Sequence, residues 1–196
     1  MSTQKTQPVP FRARLAKVLL LLSGGPDSTT LMYYVDQQRK LRGESGATNA
    51  LYLRSGETSD KKEIEAADNL AAKFGTRLEI VDIEKLVKTL GGNRLLIHSE
   101  AALMPFGNTL ALSIAIVYAL QIKADSICIG LHKDDADENG EYTRGFVDQI
   151  EAIANFARPD GPFVETPFIN MDKTQVFSLG RELQVDYSMT WSCIKG

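Results

Sequence analysis

The sequence predicts an α/β fold, a doubly wound, mostly parallel sheet with helices on both faces. Three observations predict it. Short apolar runs alternate with helix-period segments, which is the pattern of strands joined by covering helices. The first apolar run, Lys17 to Leu22, pours directly into the glycine-rich turn Ser23-Gly24-Gly25 and a helix. A 196-residue chain with 43% hydrophobic and 24% charged residues is large enough for one compact core.

The elements follow in order. Residues 1–16 open with MSTQKTQPVP, polar with two prolines, and are expected to form a flexible arm ahead of a single domain over 17–196. Lys17 to Leu22 is the first buried strand. Ser28 to Lys40 places Leu31, Tyr34 and Val35 at helical spacing, and Gly43 to Thr48 is a turn-rich link. Ala50 to Leu53 is the second strand. Asp60 to Phe74 is a helix with Ile64, Ala67, Leu70 and Ala71 on one face, and Gly75 ends it. Arg77 to Val81 is the third strand, Ile83 to Leu90 a short helix, and Gly91-Gly92 a loop. Asn108 to Gln121 is an apolar helix expected to lie buried against the sheet, and Ser126 to Gly130 is a short buried strand. Phe146 to Asn155 and Lys173 to Leu183 are helices separated by a loop rich in proline and glycine.

The turn after the first strand carries the chemistry. Glycine has no Cβ and tolerates positive φ, so the backbone N–H groups of Ser23, Gly24 and Gly25 can close round an anion. The next helix points its positive end at the same place. Ser28, Thr29 and Thr30 add hydroxyls and a helix-starting cap. Asp27 either helps hold Mg²⁺ bridging phosphates or caps the helix, and the two roles are compatible. The string lacks the Lys-Ser/Thr ending of the common P-loop.

SGGxDS is the pyrophosphate loop of the N-type ATP pyrophosphatases, the PP-loop enzymes that cleave ATP between its α and β phosphates. Across nearly its whole length the chain resembles one branch of these, the 7-cyano-7-deazaguanine synthases, often called QueC. The matching strings are Ser23 to Thr29; Gly56-Glu57 with Glu63-Ile64-Glu65-Ala66; Pro105-Phe106-Gly107-Asn108; Gly130 with Asp135; Glu165-Thr166-Pro167 with Lys173; and Thr190-Trp191-Ser192-Cys193.

The resemblance implies an adenine nucleotide α-hydrolase-like fold and a ligase. ATP with Mg²⁺ would activate a deazapurine carboxylate, 7-carboxy-7-deazaguanine, releasing pyrophosphate; ammonia would attack, and a second ATP would carry the amide to the nitrile. Ser23, Gly24, Gly25, Asp27, Ser28, Thr29, Asn108 and Gly130 would bind nucleotide, with Asp27, Lys173 and Asp135 catalytic and Asp27 nearest the Mg²⁺. Taken without the resemblance, Lys173 reads as a solvated lysine, although a cation at a helix N-terminus gains nothing from the dipole and suits an anionic partner. Asn108 either caps its helix or reads a purine edge. Asp134 to Glu138 reads as a solvated loop, from which the resemblance turns only Asp135 inward. His132 reads as a surface histidine of that loop or as a proton donor or acceptor.

The chain also departs from the family. Arg54-Ser55 precedes Gly56 where a tyrosine or aspartate is usual, and a histidine usual in that segment is missing. Gly107 stands at the arginine of PGRN, and Gly140-Glu141-Tyr142-Thr143-Arg144 replaces a Pro-Asp-Cys-Arg segment. In the family the cysteine of TxSC is the first of four zinc ligands; here Gly196 follows shortly after Cys193, and one thiolate cannot build a tetrahedral site, so no structural zinc is expected.

Two other outcomes stay open: a diverged enzyme that stops at the amide or passes the activated deazapurine to another nucleophile such as a protein amine, and an ATP-binding module without chemistry. A net charge of -3 and a pI near 5.5 give no basic footprint, so no nucleic-acid partner is expected. No apolar run is long enough to span a bilayer, and two distant cysteines without a leader-like start suit a reducing cytoplasm. A homodimer is implied by resemblance alone.

Overall fold

The computed structural model describes residues 6–90 and 107–191. Five strands, β1 (Lys17–Leu21), β2 (Ala47–Arg54), β3 (Arg77–Asp82), β4 (Ser126–Cys128) and β5 (Phe163–Glu165), form one sheet in the order β3-β2-β1-β4-β5. Every pairing is parallel, with Leu20 of β1 opposite Ala50 on one side and Cys128 on the other. The α/β expectation is met, and helices cover both faces.

Alternation along β1 decides which helix packs where. Val18 and Leu20, with Leu22 just beyond, face α1 (Pro26–Leu41), α2 (Asp60–Lys73) and α7 (Lys173–Glu182), meeting Leu31, Val35, Leu70 and Val176. Leu19 faces α4 (Gly107–Ile122) and α6 (Arg144–Ala157), where Leu112, Ala115, Val147 and Ile150 close the second core. Each fully buried leucine contributes roughly 1.5–3 kcal/mol of transfer free energy, so β1, buried on both faces, anchors the fold. Two short helices complete it, α3 (Glu84–Leu90) and α5 (Lys133–Glu138).

Three expectations need correction. The arm expected to be flexible over 1–16 is docked from Thr6 onward: Phe11 and Leu15 are core residues, and Val9 N–H donates to the Pro167 carbonyl at 2.8 Å. Its polar composition concealed Arg12, whose guanidinium pairs with Glu151 at 2.7 Å and 3.6 Å from Glu165, while the Glu165 carboxylate accepts from the backbone N–H of Arg12 and Ala13. The Pro- and Gly-rich loop contains β5, held by its parallel register with β4. The apolar helix α4 is buried only along Leu112, Ala115 and Ala119, and Val117 stays 68% exposed. Gly91-Gly92, Pro105, Phe106 and Cys193 lie outside the described residues.

Candidate active site

In an open parallel sheet the chain ends of the strands face a crevice where the connections change direction, here between β1 and β4. Ser23, Gly24 and Gly25 leave β1 at that point. Gly24 takes φ +75°, and a Cβ on it would lie 2.4 Å from the Glu63 carbonyl oxygen, so conformation and close approach both demand glycine. Gly25, not a serine or threonine, is the N-cap of α1, and Pro26 opens the helix. The helix start therefore carries no side-chain cap, and its orphan N–H groups are left for a ligand.

The hydroxyls around this turn divide into two sets. Thr29 Oγ1 donates to the Gly25 carbonyl at 2.8 Å and Thr30 Oγ1 to that of Pro26 at 2.8 Å, so both are spent on the helix and neither caps it. Ser23 and Ser28 hold their hydroxyl oxygens 3.1 Å apart, and Gly25 N–H meets Ser23 Oγ at 3.3 Å. Ser28 Oγ also donates to the Gly25 carbonyl at 3.0 Å, and the two contacts to Ser23 Oγ are long.

Asp27 lies in the first turn of α1 rather than at its cap. Burial pushes its carboxyl above the ordinary range, with His132 and Lys173 pulling the other way. Oδ1 is buried without a hydrogen-bond partner, while Oδ2 lies 3.8 Å from His132 Nε2. The same nitrogen is 3.3 Å from Asp135 Oδ2. His132 is only 3% exposed, so the surface reading is overturned: the segment after β4 folds it inward against α1. Gly130 is what permits this, because a Cβ there would sit 3.3 Å from the Asp27 backbone.

The acidic run expected as a solvated loop is the short helix α5, which carries Asp135 half-buried toward His132. Asp134 stays at the surface and accepts from the Lys173 backbone N–H at 2.8 Å. This contact ties the start of α7 to α5. Asp172 caps α7 through a capping box with Gln175, and the exposed Lys173 beside it acts on the Asp27 carboxyl as a positive charge.

Asn108 does not cap α4. Its amide donates to the Glu141 carbonyl at 3.3 Å, and the buried Glu141 carboxylate itself receives Thr109 N–H at 3.0 Å and the Thr109 hydroxyl. A carboxylate at a helix start satisfies orphan donors and the dipole together. Glu141 was invisible as a site residue because it caps a helix 32 residues away.

A cleft of about 410 Å³ opens beside the loop, lined by Ser23, Asp27 and Ser28, by the apolar Leu51, Leu53 and Ile129, and by Asn108, Gly130 and Tyr142. Its lining also includes a set that sequence reading missed. The Tyr52 hydroxyl lies 2.8 Å from both Asp60 and Glu63, and Asp60 Oδ2 also accepts from Gly56 N–H at 2.7 Å. Burial and these two acids push the phenol pKa far up, and burial with the same acids raises the Glu57 carboxyl. Alternation could have placed Tyr52 on the buried face of β2, but not the carboxylates around it. Cys128 is fully buried with its thiol pushed up by desolvation, which makes it a poor nucleophile.

Comparison with known proteins agrees with this geometry. The family described as queuosine biosynthesis protein QueC matches residues 17–196. The chain is 31% identical over 193 residues to the 7-cyano-7-deazaguanine synthase of Archaeoglobus fulgidus, covering 92% of this chain and 78% of that protein. It is 28% identical over 194 residues to that of Psychromonas ingrahamii, covering 92% and 84%. Among solved structures, the U34-tRNA thiolase NcsA from Methanococcus maripaludis superposes with a TM-score of 0.62 at 21% identity, covering 89% of this chain and 59% of that one. The NH3-dependent NAD synthetase from Campylobacter jejuni gives 0.55 at 20% identity, covering 91% and 68%. The last two likenesses speak to the fold alone. The family match spans all but the docked N-terminal segment, and the chain belongs to the QueC family.

Proposed function

We propose that this member of the QueC family, an ATP-dependent enzyme of the ligase type, uses ATP to activate the carboxylate of 7-carboxy-7-deazaguanine and aminates it with ammonia toward 7-cyano-7-deazaguanine. The observation that carries this reading is the uncapped, glycine-built start of α1 beside Asp27, at the mouth of a cleft with a partly apolar lining. A carboxylate cannot expel oxide. Attack of a carboxylate oxygen on the α-phosphorus of ATP releases pyrophosphate and leaves an acyl adenylate, from which ammonia displaces AMP to give the amide. In the second round the amide oxygen attacks a second ATP, pyrophosphate leaves, and loss of AMP and a proton yields the nitrile.

The chain's own groups suit these demands. The Ser23 and Ser28 hydroxyls and the Gly25 N–H, which bond one another and the Gly25 carbonyl around the turn, lie with the N-terminal end of α1 where they can exchange those contacts for the departing pyrophosphate. Lys173, near enough to pull on the Asp27 carboxyl, adds a positive charge on the same side. Leu51, Leu53 and Ile129 offer apolar surface to a planar base, and Asn108 offers it an amide. Holding carboxylate and α-phosphate in one cleft supplies the proximity term.

Asp27 and Asp135 fit Mg²⁺. The orphaned, buried Asp27 Oδ1 is a hard oxygen ligand in want of a partner, and Mg²⁺ is typically held by one or two carboxylates plus substrate phosphates. When bound, the cation would neutralise the charge developing on pyrophosphate. The resemblance implies a homodimer, for which the exposed apolar groups Val117 of α4 and Ile153 and Phe156 of α6 offer contact surface.

Pyrophosphate release measured with ATP, Mg²⁺ and ammonium, with and without 7-carboxy-7-deazaguanine, tests the reading. Release that depends on the deazapurine, with nitrile among the products, is expected. Amide as the end product would place the chain in a diverged branch, and release indifferent to the deazapurine would overturn the substrate assignment.

A further inference from the structure

The phosphate-facing turn is held from outside by a residue far along the chain. Trp191 N–H donates to the Gly24 carbonyl at 2.9 Å, and its ring is capped by the Lys62 ammonium of α2 at 3.9 Å from the centroid. On its other side the turn rests on α2, since Gly24 packs against the Glu63 carbonyl. The turn is thus clamped between α2 and the segment that follows the Tyr187–Met189 helical turn.

That single hydrogen bond fixes more than a distance. In a trans peptide the C=O and the following N–H point in opposite directions. Anchoring the Gly24 carbonyl toward Trp191 therefore turns the Gly25 N–H the other way, to the side where Ser23 Oγ lies 3.3 Å from it and 3.1 Å from Ser28 Oγ. Gly24, at φ +75° and without a side chain, belongs to the residue type with the most freedom to let its peptide rotate. Within the turn this N–H meets only the long 3.3 Å contact to Ser23 Oγ, weaker than the 2.9 Å hydrogen bond by which Trp191 N–H holds the carbonyl of the same peptide.

We infer that the Trp191 backbone N–H is a positioning group for ATP: it sets the orientation of the Gly24–Gly25 peptide, so that the C-terminal segment controls whether the turn presents its N–H to phosphate. The inference rests on the reading of this turn as the ATP phosphate loop. Trp191 touches no substrate in this role and acts through Gly24. The aromatic ring holds the segment against α2 through the Lys62 ammonium, a contact that a phenyl ring also offers.

Two substitutions separate the N–H from the ring. Trp191→Pro removes the N–H, and Thr190, at φ −99° and ψ 155°, already has the extended conformation that a following proline requires. A Thr190–Trp191 amide-to-ester replacement deletes the N–H alone and keeps the indole, which covers the case in which proline perturbs folding. Trp191→Phe keeps the N–H. ATP binding is measured by calorimetry on the full chain, alongside KM for ATP and kcat. One hydrogen bond is worth about 1 kcal/mol, so the ester and Trp191→Pro should weaken ATP binding and raise its KM about fivefold to tenfold with a smaller change in kcat, and Trp191→Phe should stay within about twofold. Unchanged ATP affinity in the ester variant, or an equal loss in Trp191→Phe, overturns the inference. Absence of ATP binding by the unmodified protein would instead overturn the phosphate-loop reading beneath it.

Discussion

Asp27 and His132 face each other with Oδ2 and Nε2 3.8 Å apart, one from the first turn after β1 and the other from the segment after β4. The two strands are neighbours in the sheet, so residues more than a hundred positions apart in the chain are brought to the same crevice. With Asp135 at 3.3 Å from the same nitrogen, two half-buried carboxylates flank the buried His132 beside the glycine turn. Asp27→Asn keeps size and removes charge. It is expected to leave the fold intact and lower kcat/KM by roughly a hundredfold or more, the scale of losing about 3 kcal/mol of transition-state stabilisation. Steady-state kinetics with a thermal melt on the same sample checks both parts.

Glu57 gives a pH signature. Its carboxyl is raised above the ordinary 4.5 by burial and by Asp60 and Glu63. The folded protein therefore binds the proton more tightly than the unfolded chain, and stability falls as pH rises from about 4.5 through the raised folded value. Glu57→Gln removes this loss. The variant should melt higher than the parent at pH 7, with the difference closing as pH drops below 4.5, and urea titrations at several pH values would read it directly.

Gly24→Ala tests the turn. A Cβ would meet the Glu63 carbonyl at 2.4 Å in a backbone conformation that side chains avoid, so the peptide must shift. Strain of this kind costs about 1–3 kcal/mol, and the shifted turn should lose most of its ATP affinity. Calorimetry with ATP distinguishes this from simple destabilisation, because the folded fraction can be measured independently.

Arg12→Ala tests the docked N-terminal segment. The Arg12 guanidinium bridges Glu151 and the Val164 carbonyl, and its loss leaves two largely buried carboxylates, Glu151 and Glu165, short of a cation. Arg12 itself is partly open to solvent, so the expected loss is at the lower end for a broken ion pair, about 2 kcal/mol, or roughly 4–8 °C in melting temperature for a domain of this size. Activity per folded molecule should change little.

Much of this arrangement is legible in the residues. The apolar run from Lys17, the SGGPDS turn and the helix periodicities that follow are local signals, and they place β1, the turn and α1 correctly. What lies beyond local signals is decided by tertiary partners. Strand β5 has three residues and exists because β4 offers it a ladder. His132 looks like any loop histidine until Gly130 allows the chain to fold against Asp27. Glu141 and Asp60 carry no local sign of burial, yet each is buried because donors converge on it, Thr109 32 residues from Glu141 and Tyr52 and Gly56 on the strand and turn before Asp60. Arg12 sits in a polar, proline-bearing stretch whose docking depends on Glu165, 153 positions away.

The activation step itself can be followed by oxygen transfer. With 7-carboxy-7-deazaguanine carrying 18O at both carboxylate oxygens, each activation should deliver one labelled oxygen to AMP, so that nitrile formation yields two molecules of singly labelled AMP. Unlabelled AMP, or AMP formed at the same rate without the deazapurine, would contradict carboxylate activation at this site.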